Sequence, residues 1–217
     1  MTMQSIARFF LAGAVTAFLG ASAFADTAGG FDGTGEWLPL VVGGDSKVPG
    51  MSVEEVLVYT RVAADLVGPT KMDRCEDVEP SLHTGKVYVA CTNNSDRGKA
   101  GKEGATEVNP RNANRDGHIV EITETGDQTS TKFTWNLLMV CGDPASGDVT
   151  YFSGFPVDQV SPISCPDNLA FDSVGNLWIA TDGAPSGIGR ADGLFKVTLD
   201  GAERGRVEQF LAVPRDG

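Results

Sequence analysis

An all-β fold built from propeller-type blades, preceded by one short helix, is the class this sequence predicts, and three observations predict it. The stretch Gly85-Lys86-Val87-Tyr88-Val89-Ala90-Cys91-Thr92-Asn93 aligns without gaps onto Gly175-Asn176-Leu177-Trp178-Ile179-Ala180-Thr181-Asp182-Gly183, and self-similarity of this kind marks a repeated supersecondary unit. Each copy follows an acidic segment and is followed by two more apolar runs, 117–122 and 132–140 after the first, 193–197 and 206–213 after the second. The chain also carries 27 Gly and 11 Pro among its 217 residues, a turn-rich composition that suits short antiparallel strands better than a helical bundle. A β-sandwich would supply similar strands but gives no reason to repeat them in this order.

Taken in order, the chain opens with Arg8, the apolar run Phe9 to Leu19 and the small-x-small triplet Ala23-Phe24-Ala25. This is the pattern of an export signal over residues 1–25 cleaved after Ala25, and it predicts a periplasmic or secreted protein. The apolar run is short for a bilayer span. Residues 26–51 are Gly-rich and polar and read as a lead-in loop with one weak strand over Trp37 to Val42. Ser52 with Glu55 three residues later forms a capping-box pattern, which predicts a helix from Ser52 to Val67 ended by Gly68-Pro69. From residue 70 onward the pattern is that of strands, so residues 52–217 form the propeller portion. The segment Ser95 to Asp116 is a long polar insertion with a basic excess, which is the mark of either a functional or a disordered loop.

A net charge of -12 argues against nucleic acid or an anionic membrane as partner and for small molecules and cations. Four cysteines, Cys75, Cys91, Cys141 and Cys165, lack any Cys-x-x-Cys spacing, so a zinc site is not indicated. In an exported chain they would allow three disulfide pairings, none favoured by pattern.

The densest chemistry lies in Met72-Asp73-Arg74-Cys75-Glu76-Asp77-Val78-Glu79-Pro80. It reads as a loop leading into the strand at 85–91, bracketed by Pro69 and Pro80. Carboxylates so clustered repel one another unless a cation or an arginine neutralises them, which points to a hard-metal or phosphate site. The competing reading is a solvated acidic loop.

Several motifs in a fixed order carry a resemblance: Arg61-Val62-Ala63-Ala64-Asp65, Met72-Asp73-Arg74-Cys75-Glu76, Thr92-Asn93-Asn94, Asn109-Pro110-Arg111, Gly117-His118-Ile119-Val120-Glu121, Phe133-Thr134-Trp135, Pro166-Asp167-Asn168-Leu169-Ala170-Phe171-Asp172 and Leu177-Trp178-Ile179-Ala180-Thr181-Asp182-Gly183. Together they resemble the PhoX-type alkaline phosphatases from about residue 52 to the end. The resemblance implies a six-bladed propeller, of which this chain would be a β-propeller fragment of about two to three blades. It also implies hydrolysis of phosphate esters outside the cytoplasm, with calcium and iron as cofactors. Carried over, Arg74 would bind the substrate phosphate, and Glu76 and Asp167 would be metal ligands. That division suits the residue types, since a guanidinium forms a fork to phosphate and carboxylates hold hard cations.

Cys75 departs from the family, where many relatives have proline, and the family's Cys-Glu-Glu-Asn motif is absent. Two repeat units do not close a ring, so the fragment is expected to be weakly active and prone to associate. Asp73, Asp77, Glu79, Asn93 and Asn94 read equally as site residues or as turn and surface positions, and His118 reads as structural. Two alternatives stand beside the phosphatase. The run Pro166 to Trp178 is also similar to calcium-dependent sugar-lactone hydrolases, and a noncatalytic exported binding module would share the strands.

Overall fold

The computed structural model describes residues 14–17 and 31–214, in two compact units. Of the expected signal segment only Ala14–Ala17 falls among them, as strand β1, and the cleavage site lies outside the described residues.

In the smaller unit, whose described part is 14–17, 34–71 and 124–133, β1 pairs antiparallel with β2 (Asp32–Pro39). The weak strand expected over Trp37 to Val42 is present as residues 37–39 of β2 and as Val41–Val42, and the rest of the expected lead-in loop carries more strand than predicted, since β2 begins at Asp32. Its glycines have a packing reason: a Cβ on Gly35 would collide with the ring of Phe133, so the strand can pass beneath that side chain only without one. Trp37 packs against Phe133 with ring centres 4.7 Å apart and planes tilted by 43°, and its indole Nε1 donates to Glu124 Oε1 at 3.0 Å. Strands β3 (Val41–Val42) and β4 (Asp45–Ser46) form a two-stranded ribbon.

The capping box forms as expected. Glu55 N donates to Ser52 Oγ and Ser52 N to Glu55 Oε2. The single helix expected over 52–67 is instead two, α1 (Val53–Val58) and α2 (Thr60–Val67), hinged at Tyr59 with φ -110 and ψ 43. The break falls among the β-branched residues Val58, Thr60 and Val62, where the Thr60 hydroxyl donates back to Val56 O at 2.9 Å, a bond that bends helices. Gly68 ends α2 at φ 68. Val56 and Ala63 pack with Leu40 and Val48 into a small core.

The larger unit holds 31–33, 72–123 and 134–214. Its first sheet contains β5 (Cys75–Pro80), β6 (Val87–Cys91), β7 (His118–Glu124) and β8 (Lys132–Val140), hydrogen-bonded in the order β8-β7-β6-β5. Helix α3 (Ala184–Gly187) is a single turn in the second half. The second sheet contains β9 (Pro166–Phe171), β10 (Leu177–Thr181), β11 (Gly193–Val197) and β12 (Val207–Ala212), in the order β12-β11-β10-β9. Each is an antiparallel four-strand meander, the form of a propeller blade. The repeat read in the sequence is thus the second strand of each blade. Beyond β8, Leu137 N donates to Phe31 O in this unit and Trp37 N to Thr131 O in the smaller one, so β2 adds to the blade edge.

The core lies between the two blades. Tyr88, Ile119, Leu138, Met139, Ile179 and Phe195 are its large side chains, and Tyr88 meets Phe171 with ring centres 5.4 Å apart. Burial of such side chains, about 1.5–3 kcal/mol each, holds the blades face to face. Among the described residues no helix is long and apolar enough to cross a membrane.

Candidate active site

The acidic segment is not the loop the sequence predicts. Cys75–Pro80 is strand β5, paired with β6 from Cys75↔Cys91 to Pro80↔Val87. Acidic residues have low strand propensity, but pairing with the fully buried β6 overrides it.

The starts of β5 and β9 are built alike. Arg74 precedes β5 at φ 51 and Cys165 precedes β9 at φ 53, two of the few non-glycine residues in the left-handed region. Thr92 N donates to Arg74 O at 3.0 Å and Asp182 N to Cys165 O at 3.1 Å, so the same backbone bond closes both entrances. The next residue but one is the extra residue of a bulge in each blade. The register steps from Cys75↔Cys91 to Asp77↔Ala90, passing over Glu76. It steps from Thr181↔Pro166 to Ala180↔Asn168, passing over Asp167. Bulges re-aim side chains, and here they re-aim two carboxylates at corresponding places in neighbouring blades.

Arg74, Glu76 and Asp167 are brought together. The Arg74 side chain is 62% exposed and its guanidinium donates to Glu76 Oε1 at 3.0 Å and to Asn93 Oδ1 at 3.1 Å. Asn93 Nδ2 reaches on to Cys165 Sγ at 3.7 Å, joining the two blade starts. Burial, then the negative charges of Glu76, Asp182 and Asp77, push the Asp167 carboxyl above its ordinary range, and Arg74 works against them. Asp77, one of the candidates open in the sequence, is a site neighbour, and so is Asp182, which carried no separate signal there beyond its place at the strand end. Asp77 also has a structural task, since its Oδ2 accepts from Leu169 N at 2.8 Å and so satisfies the edge of β9.

Beneath this surface lies a buried polar layer. Asp73, open in the sequence between a site or supporting residue and a turn or solvated charge, is not solvated: it is 0% exposed and accepts from Arg97 Nε at 2.6 Å and Asn114 Nδ2 at 2.9 Å. Asn114 Nδ2 also meets His118 Nδ1 at 3.1 Å, and Asn114 Oδ1 accepts from Arg111 and from Gly117 N. Burial drives the His118 imidazole down to about 4, with Asp73 opposing, so it is neutral and structural. All five N–H groups of Arg111 are used on Asn114, Cys141 O, Val149 O and Gly117 O, which leaves that guanidinium none for phosphate. The insertion 95–116 is thereby ordered, and Arg97, Arg111 and Asn114 tie it under the start of β5.

The donor set has two hard oxygen groups that repel one another, which fits a share in binding a hard cation. Among the described residues no three His, Cys, Asp or Glu side chains converge to hold a metal by themselves. The site is an open surface. The hollows lined by Thr34, Gly35 and Phe133, about 300 Å³, and by Ser153, Phe155 and Arg204, about 400 Å³, lie elsewhere in the sequence and include none of the three residues.

Comparison with known proteins places the chain in a family. The family model described as alkaline phosphatase PhoX matches residues 12–217. Among solved structures, Pseudomonas fluorescens PhoX in complex with vanadate, a transition state analogue, is similar with a TM-score of 0.71 and 31% identity over 93% of this chain. The chain spans 35% of the length of that protein. No curated protein matches. With the family model covering nearly the whole chain and a solved structure 31% identical over 93% of it, the chain belongs to the alkaline phosphatase PhoX family.

Proposed function

We propose that this chain contributes to an extracytoplasmic, metal-dependent phosphomonoesterase site, in which Arg74 binds the ester phosphate and Glu76 and Asp167 hold a cation. The observation that carries the reading is the correspondence of Glu76 and Asp167 at the two blade starts, with the exposed guanidinium of Arg74 beside them. The similar P. fluorescens protein was captured with vanadate, which mimics a phosphoryl group in transfer, and that supports a phosphate ester as the substrate class. The export pattern of residues 1–25 supports a periplasmic or secreted setting.

Calcium and iron, both by family resemblance, are the cofactors of this proposal. When bound, such cations neutralise the charge that develops on the phosphoryl oxygens. The chain's own residues do the rest. Arg74 offers its free N–H groups as a fork to two phosphate oxygens. Glu76 and Asn93 hold that fork in place through the bonds at 3.0 and 3.1 Å. The left-handed backbone at 74 aims the side chain away from the β5 ladder, and the Asp73–Arg97–Asn114 layer keeps the segment from shifting.

The test is hydrolysis of para-nitrophenyl phosphate by the purified chain supplied with calcium and ferric iron. Detectable turnover, lost with EDTA and inhibited by vanadate, is the expected result. Absence of turnover together with no vanadate-dependent rise in thermal stability would overturn the reading.

A further inference from the structure

We infer that Cys75 and Cys91 are a disulfide-forming pair that fastens the start of β5 to β6. The two residues are directly opposed across the antiparallel ladder, and their Sγ atoms lie 3.2 Å apart as thiols in contact. The donation from Thr92 N to Arg74 O makes them a non-hydrogen-bonded pair. In such pairs the Cα atoms sit about 4.5 Å apart, inside the range of about 4.4–6.8 Å that a disulfide spans. No backbone shift is needed to bring the sulfurs together. Cys141 and Cys165 have no cysteine partner within bonding distance among the described residues, so the pairing left open by the sequence has one geometric solution.

Accessibility is asymmetric in a useful way, since Cys75 is exposed and Cys91 is buried. The exposed sulfur can attack a small external disulfide such as oxidised glutathione, forming a mixed disulfide and releasing one small thiol. Cys91 then attacks the Cys75 sulfur of that intermediate and releases the second. Two electrons and two protons leave the cysteine pair and reduce the small disulfide to two thiols. The product lies between Arg74 and Glu76, so it pins the left-handed turn and the bulge to the neighbouring strand.

The test uses the whole purified chain, equilibrated with oxidised glutathione, blocked with iodoacetamide without reduction and digested with trypsin. The cysteines lie on separate tryptic peptides, Cys75 to Lys86 and Val87 to Arg97. The expected species is these two joined, two hydrogens lighter than their sum, with titratable thiols in denatured protein falling from four to two. Cys91→Ser should abolish the joined species, and Cys141→Ser should leave it intact. Four alkylated cysteines after equilibration, or a link from Cys75 to Cys141 or Cys165, would overturn the inference.

Discussion

Glu76 and Asp167 occupy the same place in successive blades, each the extra residue of a bulge and each two positions after a left-handed residue, Arg74 or Cys165. The relationship explains how an acidic cluster can tolerate its own repulsion. The bulges direct the two carboxylates to one rim, with Arg74 bonded to Glu76 and opposing the rise at Asp167.

Removing the arginine and removing a carboxylate should therefore have different signatures. Arg74→Ala should raise KM for a phosphomonoester roughly ten- to a hundredfold, the worth of one or two charged hydrogen bonds, and leave retained metal unchanged. Glu76→Gln and Asp167→Asn should lower retained metal and kcat together. Steady-state kinetics with elemental analysis separate the two, and unchanged metal in both carboxylate variants would remove them from the ligand set.

The pH dependence of stability should carry the mark of His118. Its folded value, about 4, lies below the ordinary imidazole value near 6.5, so the unfolded chain binds a proton that the folded chain refuses. The stabilisation is whole above about 6.5 and is lost as pH falls toward 4, amounting to about 2 kcal/mol by pH 5. Asp73 faces the ring and favours its charge, and Arg97 and Arg111 oppose it. Urea unfolding at pH 7 and 5 should show a shallower acid loss in His118→Gln than in the parent. Equal losses would show that the imidazole is already solvated.

Arg97→Leu would leave the Asp73 carboxylate buried without its ion pair and should cost about 3–5 kcal/mol. Because Arg97 also donates to Gly104 O, hydrogen exchange should show the insertion 95–116 losing protection ahead of the blade core. Protection unchanged along that segment would mean that Asn114 and Arg111 hold it alone.

Gly117→Ala should be among the most damaging small substitutions. Its φ of 80 is left-handed, and a Cβ would collide with Cys91 O and Thr92 O and approach Pro166 Cδ to 2.8 Å. The loss should exceed the about 1–2 kcal/mol of left-handed strain alone, since the atoms it meets are mostly backbone. A denaturation midpoint within error of the parent would show that the two blade starts can separate.

The blades were legible because Val87–Cys91 and Leu177–Thr181 repeat in apolar pattern as well as in place. β5 was not legible, because its pairing comes from β6 and an acidic strand has no pattern of its own. Of β2 only the end at Trp37 was legible, for the opposite reason: its glycines, which make room for an aromatic ring, look like loop glycines until Phe133 is placed over Gly35. The residues of the site were readable as types and by resemblance. Their shared geometry was not, because nothing in Arg74 or Cys165 announces a left-handed backbone. Asp73 was readable only as a charge of open role, and the fold settles its place by turning it inward onto Arg97.

The left-handed backbone at Arg74 also sets stability and function against each other. Glycine at position 74 would relieve strain of order 1 kcal/mol, so a search for sturdier variants that scored folding alone would be drawn to remove the side chain proposed to meet the phosphate. If Arg74 binds the ester phosphate as proposed, Arg74→Gly would show both effects at one position, a sturdier fold and a weaker grip on phosphate.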